Sequence, residues 1–212
     1  MMKEADVALW RLVHDERQAL IADLEPLAST SWLSASTCPG WNVHDVLAHL
    51  VDTAKTTRLS FMRDMLAARF DFDRANAVGV AREKAQDPQE TLAEFRAVRL
   101  RTSSPPAPLA TRLVEAFVHG EDIRGPLGID RDYPAEHVAT ALAYQLKTSV
   151  KMGGGKELAK GWHMMATDTV FSHGAGAEVR ASAMALLLAV SGRPVAVTEF
   201  SGAGAETFAA TL

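Results

Sequence analysis

The stretch Asn42-Val43-His44-Asp45-Val46-Leu47-Ala48-His49-Leu50-Val51-Asp52 reads as the opening of an amphipathic helix. Val43, Val46, Leu47 and Leu50 recur at the three- and four-residue spacing of one helical face. Asn42 suits the N-cap, and Asp45, at the third helical position, lies near the positive end of the helix dipole. His49 falls at the edge of the apolar face, whereas Asp45 and Asp52 lie further round. The pattern predicts a helix from here to about Ala67.

Upstream, Val7, Trp10, Val13, Leu20, Leu24 and Leu27 form one stripe over Glu4 to Leu27, with Arg17 as its single polar break. This predicts a first helix, ended by Pro26 and the Ser29-Thr30-Ser31 cluster. A Cys38-Pro39-Gly40 turn separates the two helices. Downstream, Asp71 to Asp87 is charged and aperiodic and reads as a loop or short helical pieces. Pro88 opens a third helix that runs through Thr91 to Arg101. The run Ser103-Ser104-Pro105-Pro106-Ala107-Pro108 breaks the chain. A fourth helix is expected from Ala110 to Arg124, stopped by Gly125-Pro126, and a fifth from Pro134 to the Gly153-Gly154-Gly155 triplet. Beyond it, Trp162 to Thr167 and Pro194 to Phe200 read as strands and Glu178 to Val190 as a helix, followed by a short helix after Gly202 and Gly204. The expected fold is therefore mainly α with a small α/β module. Residues 1–152 would form a helical bundle and residues 153–212 a small α/β domain hinged at Gly153.

Composition narrows the function classes. Apolar residues make up 48% of the 212 residues, enough for a core, and the net charge is −4. No basic stretch is present, so nucleic acid is not an expected partner. The single cysteine, Cys38, excludes an internal disulfide and a cysteine-rich metal site, and points to a reducing cytoplasm. Met1 to Asp6 carries Lys3, Glu4 and Asp6 and no signal-peptide core. The apolar run Ala183 to Val190 is too short to span a bilayer and reads as a buried helix. No membrane partner is expected, and the sequence leaves the oligomeric state open.

One spacing occurs twice. The second helix holds Asp45-x-x-x-His49-x-x-Asp52 and the fourth holds Glu115-x-x-x-His119-x-x-Asp122. Residues four apart share a helix face, so a carboxylate and an imidazole so placed can bind one cation. Two facing helices of this kind are how bundles build metal sites. Glu115, His119 and Asp122 share an arc of about 60° within an apolar surround of Val118, Ala116 and Ile123. Polar groups on such a face need partners. The wheel favours His49, Glu115 and His119 as three ligands, with Asp45, Asp52 and Asp122 behind them or at the surface. Two imidazoles and a carboxylate suit zinc and leave one position open. The bland alternatives stand beside this. A Glu-x-x-x-His pair also arises by chance, Asp45 can serve the dipole alone, and Asp52 can be a solvated charge. His44, His137, His163 and His173 read as surface or loop residues, and Arg124 as a surface residue complementing the dipole. Trp41 reads equally as a pocket wall or a core anchor.

The block Cys38-Pro39-Gly40-Trp41-Asn42-Val43-His44-Asp45-Val46-Leu47-Ala48-His49-Leu50 resembles the hallmark of the mycothiol-dependent maleylpyruvate isomerase family, one of the DinB-like metal-binding bundles. Glu115 to Gly128 is similar to that family's second metal motif. Ala166-Thr167-Asp168 through Gly192-Arg193 to Ser201-Gly202 resembles its C-terminal α/β domain. The resemblance implies a DinB-like four-helix bundle, zinc on His49, Glu115 and His119, and mycothiol, the actinobacterial replacement for glutathione, as cosubstrate. It also implies a catalytic arginine from the C-terminal domain. Arg193 is the best match and Arg180 the second. Phe171, where relatives often have tryptophan, and the short region between Ala67 and Pro88 depart from the pattern. The expected activity is a zinc-dependent, mycothiol-using isomerisation or S-transfer on a small electrophilic acid in the cytoplasm. The alternatives are a metal-dependent hydrolase with a zinc-bound water, or a non-catalytic metal or small-molecule binding protein.

Overall fold

The structure, a computed structural model, describes residues 3–212. The first two residues of the segment read as free of a signal-peptide core lie outside them. The chain divides into two compact units, Met1–Asp130 and Arg131–Leu212.

The first unit is helical: α1 (Glu4–Leu24), α2 (Val43–Lys55), α3 (Arg58–Ala67), α4 (Phe72–Glu83), α5 (Pro88–Val98) and α6 (Thr111–Leu127). Its core is a four-helix bundle of α1, α2, α5 and α6. Leu20, Ile21 and Leu24 pack with Val43, Val46, Leu47, Leu50 and Val51, with Leu92, Phe95 and Val98, and with Ile123. Each helix contributes the apolar stripe that its spacing predicts.

Three local expectations differ. The second helix does not continue to Ala67. Thr56 turns extended, and Thr57 restarts the chain as N-cap of α3 with Ser60 in a reciprocal capping box. Asp71 to Asp87 is largely helical, as α4, whose first turn is capped by the Asp71 carboxylate on the Arg74 N–H (3.0 Å). Its packing on α2 is polar. Gly79 lies so close to Asp52 that any Cβ would overlap the carboxylate, and Lys55 pairs with Glu83 at 2.7 Å. Apolar periodicity cannot reveal a helix held this way. Finally, α6 runs through Gly125-Pro126 to a left-handed Gly128 (φ 65°). Pro126 lacks an N–H and so leaves the Asp122 carbonyl without its helical donor. The Thr37 N–H takes that carbonyl instead (3.3 Å).

The second unit holds α7 (Ala135–Gln145), α8 (Ala183–Val190), α9 (Ala205–Ala209) and a sheet of β1 (Trp162–Ala166), β2 (Ser172–Gly174) and β3 (Ala177–Ala181) in the order β2-β1-β3. β1 pairs antiparallel with β2 and parallel with β3. The chain crosses the start of β1 between β2 and β3. There Gly174 and Gly176, both at positive φ, lie against the Trp162 and Gly161 carbonyls, where a Cβ would not fit. The sequence placed the boundary at Gly153 and put α7 with the bundle. The units instead divide at Asp130, because the apolar faces of α7 and α8 pack together. Pro194 to Phe200 is also not a strand and holds only a short 3-10 turn, Val197–Glu199. Glu178 to Ala181 belongs to β3, and the helix starts after Ser182, whose hydroxyl caps the Ala185 N–H at 3.1 Å. Among the described residues no helix is long and apolar enough to cross a membrane.

Candidate metal centre

His49 is set by the start of its helix. The Asn42 side chain accepts from the Asp45 N–H (2.9 Å), and the Asp45 carboxylate accepts from the Asn42 N–H (3.0 Å). This capping box fixes the first turn of α2. The preceding Cys38-Pro39-Gly40-Trp41 is a tight turn closed by the Trp41 N–H on the Cys38 carbonyl (3.1 Å), with Gly40 at φ 80°. Proline then glycine at its centre is the type II pattern. The Ser36 hydroxyl donates to the Trp41 carbonyl at 2.8 Å. Trp41 is thereby held with its ring centre 5.0 Å from that of His49, itself only 6% exposed.

His119 comes from α6. The rings of His49 and His119 meet edge to face, with centres 4.9 Å apart and planes at 82°. Asp122 is wholly buried, and its carboxylate accepts from His119 Nδ1 at 2.8 Å. That bond puts the imidazole proton on Nδ1 and leaves the Nε2 lone pair for a ligand. Thr37 donates to the other Asp122 oxygen at 2.5 Å. Thr37 thus holds both the carbonyl freed by Pro126 and the carboxylate that orients His119.

Glu115 behaves differently. Both its oxygens lie against Arg112 Nη1, at 3.2 and 3.0 Å, and the same nitrogen donates to the Thr53 carbonyl of α2 (3.1 Å). Among the described residues, no three His, Cys, Asp or Glu side chains converge as a ready metal site. The spacing of the two imidazole centres suits a shared ion. Nitrogens about 2.0–2.1 Å from a tetrahedral ion put their ring centres about 5 Å apart. Glu115 would join such a donor set only by turning from, or sharing with, Arg112.

The other sequence candidates are engaged elsewhere. Asp45 pairs with Lys84 Nζ at 2.7 Å. Asp52 pairs with Arg82, and burial raises its pKa above the ordinary carboxylate value while Arg82 pulls against that. Arg193 lies in the second unit, where its Nη1 donates to the Ser191 carbonyl at 2.8 Å. Arg180 is bound to Glu178 at 2.7 and 3.0 Å.

Several residues escaped the sequence reading. His44 is buried, not at the surface. Its Nε2 lies 2.8 Å from the Thr91 hydroxyl, and burial lowers its pKa. Arg124 is fully buried and ties α6 to α1 through Asp23 at 2.7 Å. Arg17, the break in the first stripe, is buried with Nη1 on the carbonyls of Arg99 (3.2 Å) and Arg101 (3.0 Å). It lines, with Glu16 and Glu115, a cleft of about 240 Å³ including its open mouth. Arg112 had a signal, since it stands three residues before Glu115. Thr37 had none, because its partner is 85 residues away.

Residues 13–103 match the mycothiol maleylpyruvate isomerase N-terminal domain. That segment, a little under half of the chain, is similar to the N-terminal domain of the mycothiol maleylpyruvate isomerase family. The fold extends the likeness beyond the matched segment. The crystal structure of a histidine-to-alanine mutant of the mycothiol-dependent maleylpyruvate isomerase superposes with a TM-score of 0.64 at 16% identity, covering 97% of this chain and 94% of that one. A second crystal structure of the mycothiol-dependent maleylpyruvate isomerase gives 0.61 at 17% identity, over 92% and 90%. No curated protein matches the sequence. At these identities the family's structures share the fold with this chain, a helical bundle followed by a small three-stranded α/β unit.

Proposed function

We propose that the chain is a zinc-dependent enzyme that uses mycothiol to isomerise, or to transfer sulfur to, a small electrophilic acid, with the ion held by His49, His119 and Glu115. The observation that carries this is the pair of imidazoles delivered by two separate helices, with His119 Nδ1 committed to a buried aspartate. A histidine oriented by a carboxylate in this way is the usual arrangement behind a metal ligand. The match of residues 13–103 to the mycothiol maleylpyruvate isomerase N-terminal domain supports the thiol cosubstrate.

When bound, the ion would supply Lewis acidity that lowers the pKa of a thiol at its open position. The chain's own residues do the rest. Asp122 keeps His119 in the tautomer with Nε2 available. Trp41 covers one side of His49 and limits water there. The cosubstrate thiolate adds to one carbon of the cis double bond of a maleyl-type acid, and the π electrons pass to the conjugated carbonyl. Rotation about the resulting single bond and expulsion of the thiolate restore the double bond as trans.

The test is metal analysis of the purified full-length protein, with a screen of maleyl-type acids with and without mycothiol. The expected result is one zinc equivalent and turnover that needs both thiol and metal, lost after chelation and restored by zinc. Turnover undiminished when the thiol is omitted would sink the thiol reading and favour a hydrolase. Metal retention without any turnover would leave a binding protein.

A further inference from the structure

Glu115 serves as counter-ion to a buried cation. Arg112 is 3% exposed, and its Nη1 contacts both Glu115 oxygens and the Thr53 carbonyl. Its Nε is buried with no hydrogen-bond partner. A second buried guanidinium, Arg17, stands close enough that Glu115 and Arg112 both act on its charge, in opposite senses. Removing the carboxylate from this pair would leave a buried cation poorly compensated, which is costly.

The neighbouring acids do not relieve the demand. Asp45 is neutralised by Lys84, Asp52 by Arg82, Asp122 is spent on His119 and Thr37, and Glu16, on the same cleft as Arg17, faces the buried Arg124 at 3.9 Å. A divalent ion between His49 and His119 would add positive charge beside Arg112, and Glu115 is the carboxylate that Arg112 contacts. Like charges at short range repel strongly where water is scarce.

We infer that Arg112 competes with the metal ion for Glu115, so that breaking or sharing the Arg112–Glu115 pair is the step that limits metal affinity. The two histidines form a standing half-site, and Arg112 sets how readily the third donor joins it. This rests on the proposed metal ligands. It goes beyond them in assigning to a residue that touches no metal a direct hold on metal loading.

The experiment is zinc affinity by competition with a chromophoric chelator, on the full-length wild type and on R112M, R112K and H49A. Methionine keeps the length and apolar stem of Arg112 and removes its charge. R112M should bind zinc at least about tenfold more tightly than wild type. Lysine keeps the charge but cannot reach both Glu115 oxygens and the Thr53 carbonyl, so R112K should fall between. Affinity in R112M equal to or below wild type overturns the inference. If R112M does not fold, R112K decides by the same criterion. H49A separates the two claims. If zinc binding is lost in H49A but unchanged in R112M, the metal site stands and the competition fails. If R112M binds where wild type does not, the competition is supported in its strongest form. If no variant binds zinc at His49, both fail.

Discussion

α2 and α6 carry the same spacing, an acid, a histidine four residues on and an aspartate three beyond that, yet the two helices use it in opposite ways. On α6 the acids turn inward along their own helix. Asp122 binds His119, and Glu115 binds Arg112, each one turn away. On α2 the acids turn outward to other elements. Asp45 closes the helix cap and meets Lys84, and Asp52 meets Arg82 of α4. His49 rests on Trp41 and His119. The lesson is that spacing places side chains on a face but does not choose their partners.

The contrast can be broken most severely at Asp122. Asp122→Ala removes a fully buried carboxylate that holds both His119 and Thr37. We expect a loss of about 3 kcal/mol in denaturant unfolding, and zinc affinity reduced by about 10–100-fold. Asp45→Asn, at the first acid of the spacing on α2, should leave zinc affinity within about twofold by the same titration, since Asp45 touches no proposed ligand. A large change there would erase the distinction between the helices.

Next in size is Gly79→Ala, which sets a methyl against the Asp52 carboxylate. It should cost about 2 kcal/mol by overpacking, read as a fall in melting temperature, while zinc affinity is kept. Asn42→Ala removes half the capping box of α2 and should cost about 1 kcal/mol. α6 offers no equivalent, because its N-cap, Ala110, makes no side-chain cap bond.

The smallest effect is that of His44. Burial lowers its pKa below the ordinary 6.5, so the folded state resists its protonation. The unfolded chain then binds more protons as pH falls below about 6.5, and stability falls with it until the folded pKa is passed. His44→Gln should flatten that slope in unfolding measured between pH 7 and pH 5.

The sequence showed the bundle because its helices carry apolar stripes at helical spacing, as in Val43, Val46, Leu47 and Leu50. α4 was invisible because what fastens it to α2, through Gly79, Arg82 and Lys84, is largely polar. The helix through Pro126 was hidden because its tolerance depends on Thr37, far upstream.

By itself, the sequence determined that the chain is mainly helical, that an acid and a histidine four residues on recur on two of its helices, and where the turn before Trp41 falls. The tertiary structure alone decided that His49 and His119 meet, that Asp122 serves His119 while Asp52 serves Arg82, and that three arginines are buried. The reason is that periodicity is a property of neighbours along the chain. The partner of a buried charge is fixed by desolvation and contact, and the residues that satisfy it come from anywhere in the fold.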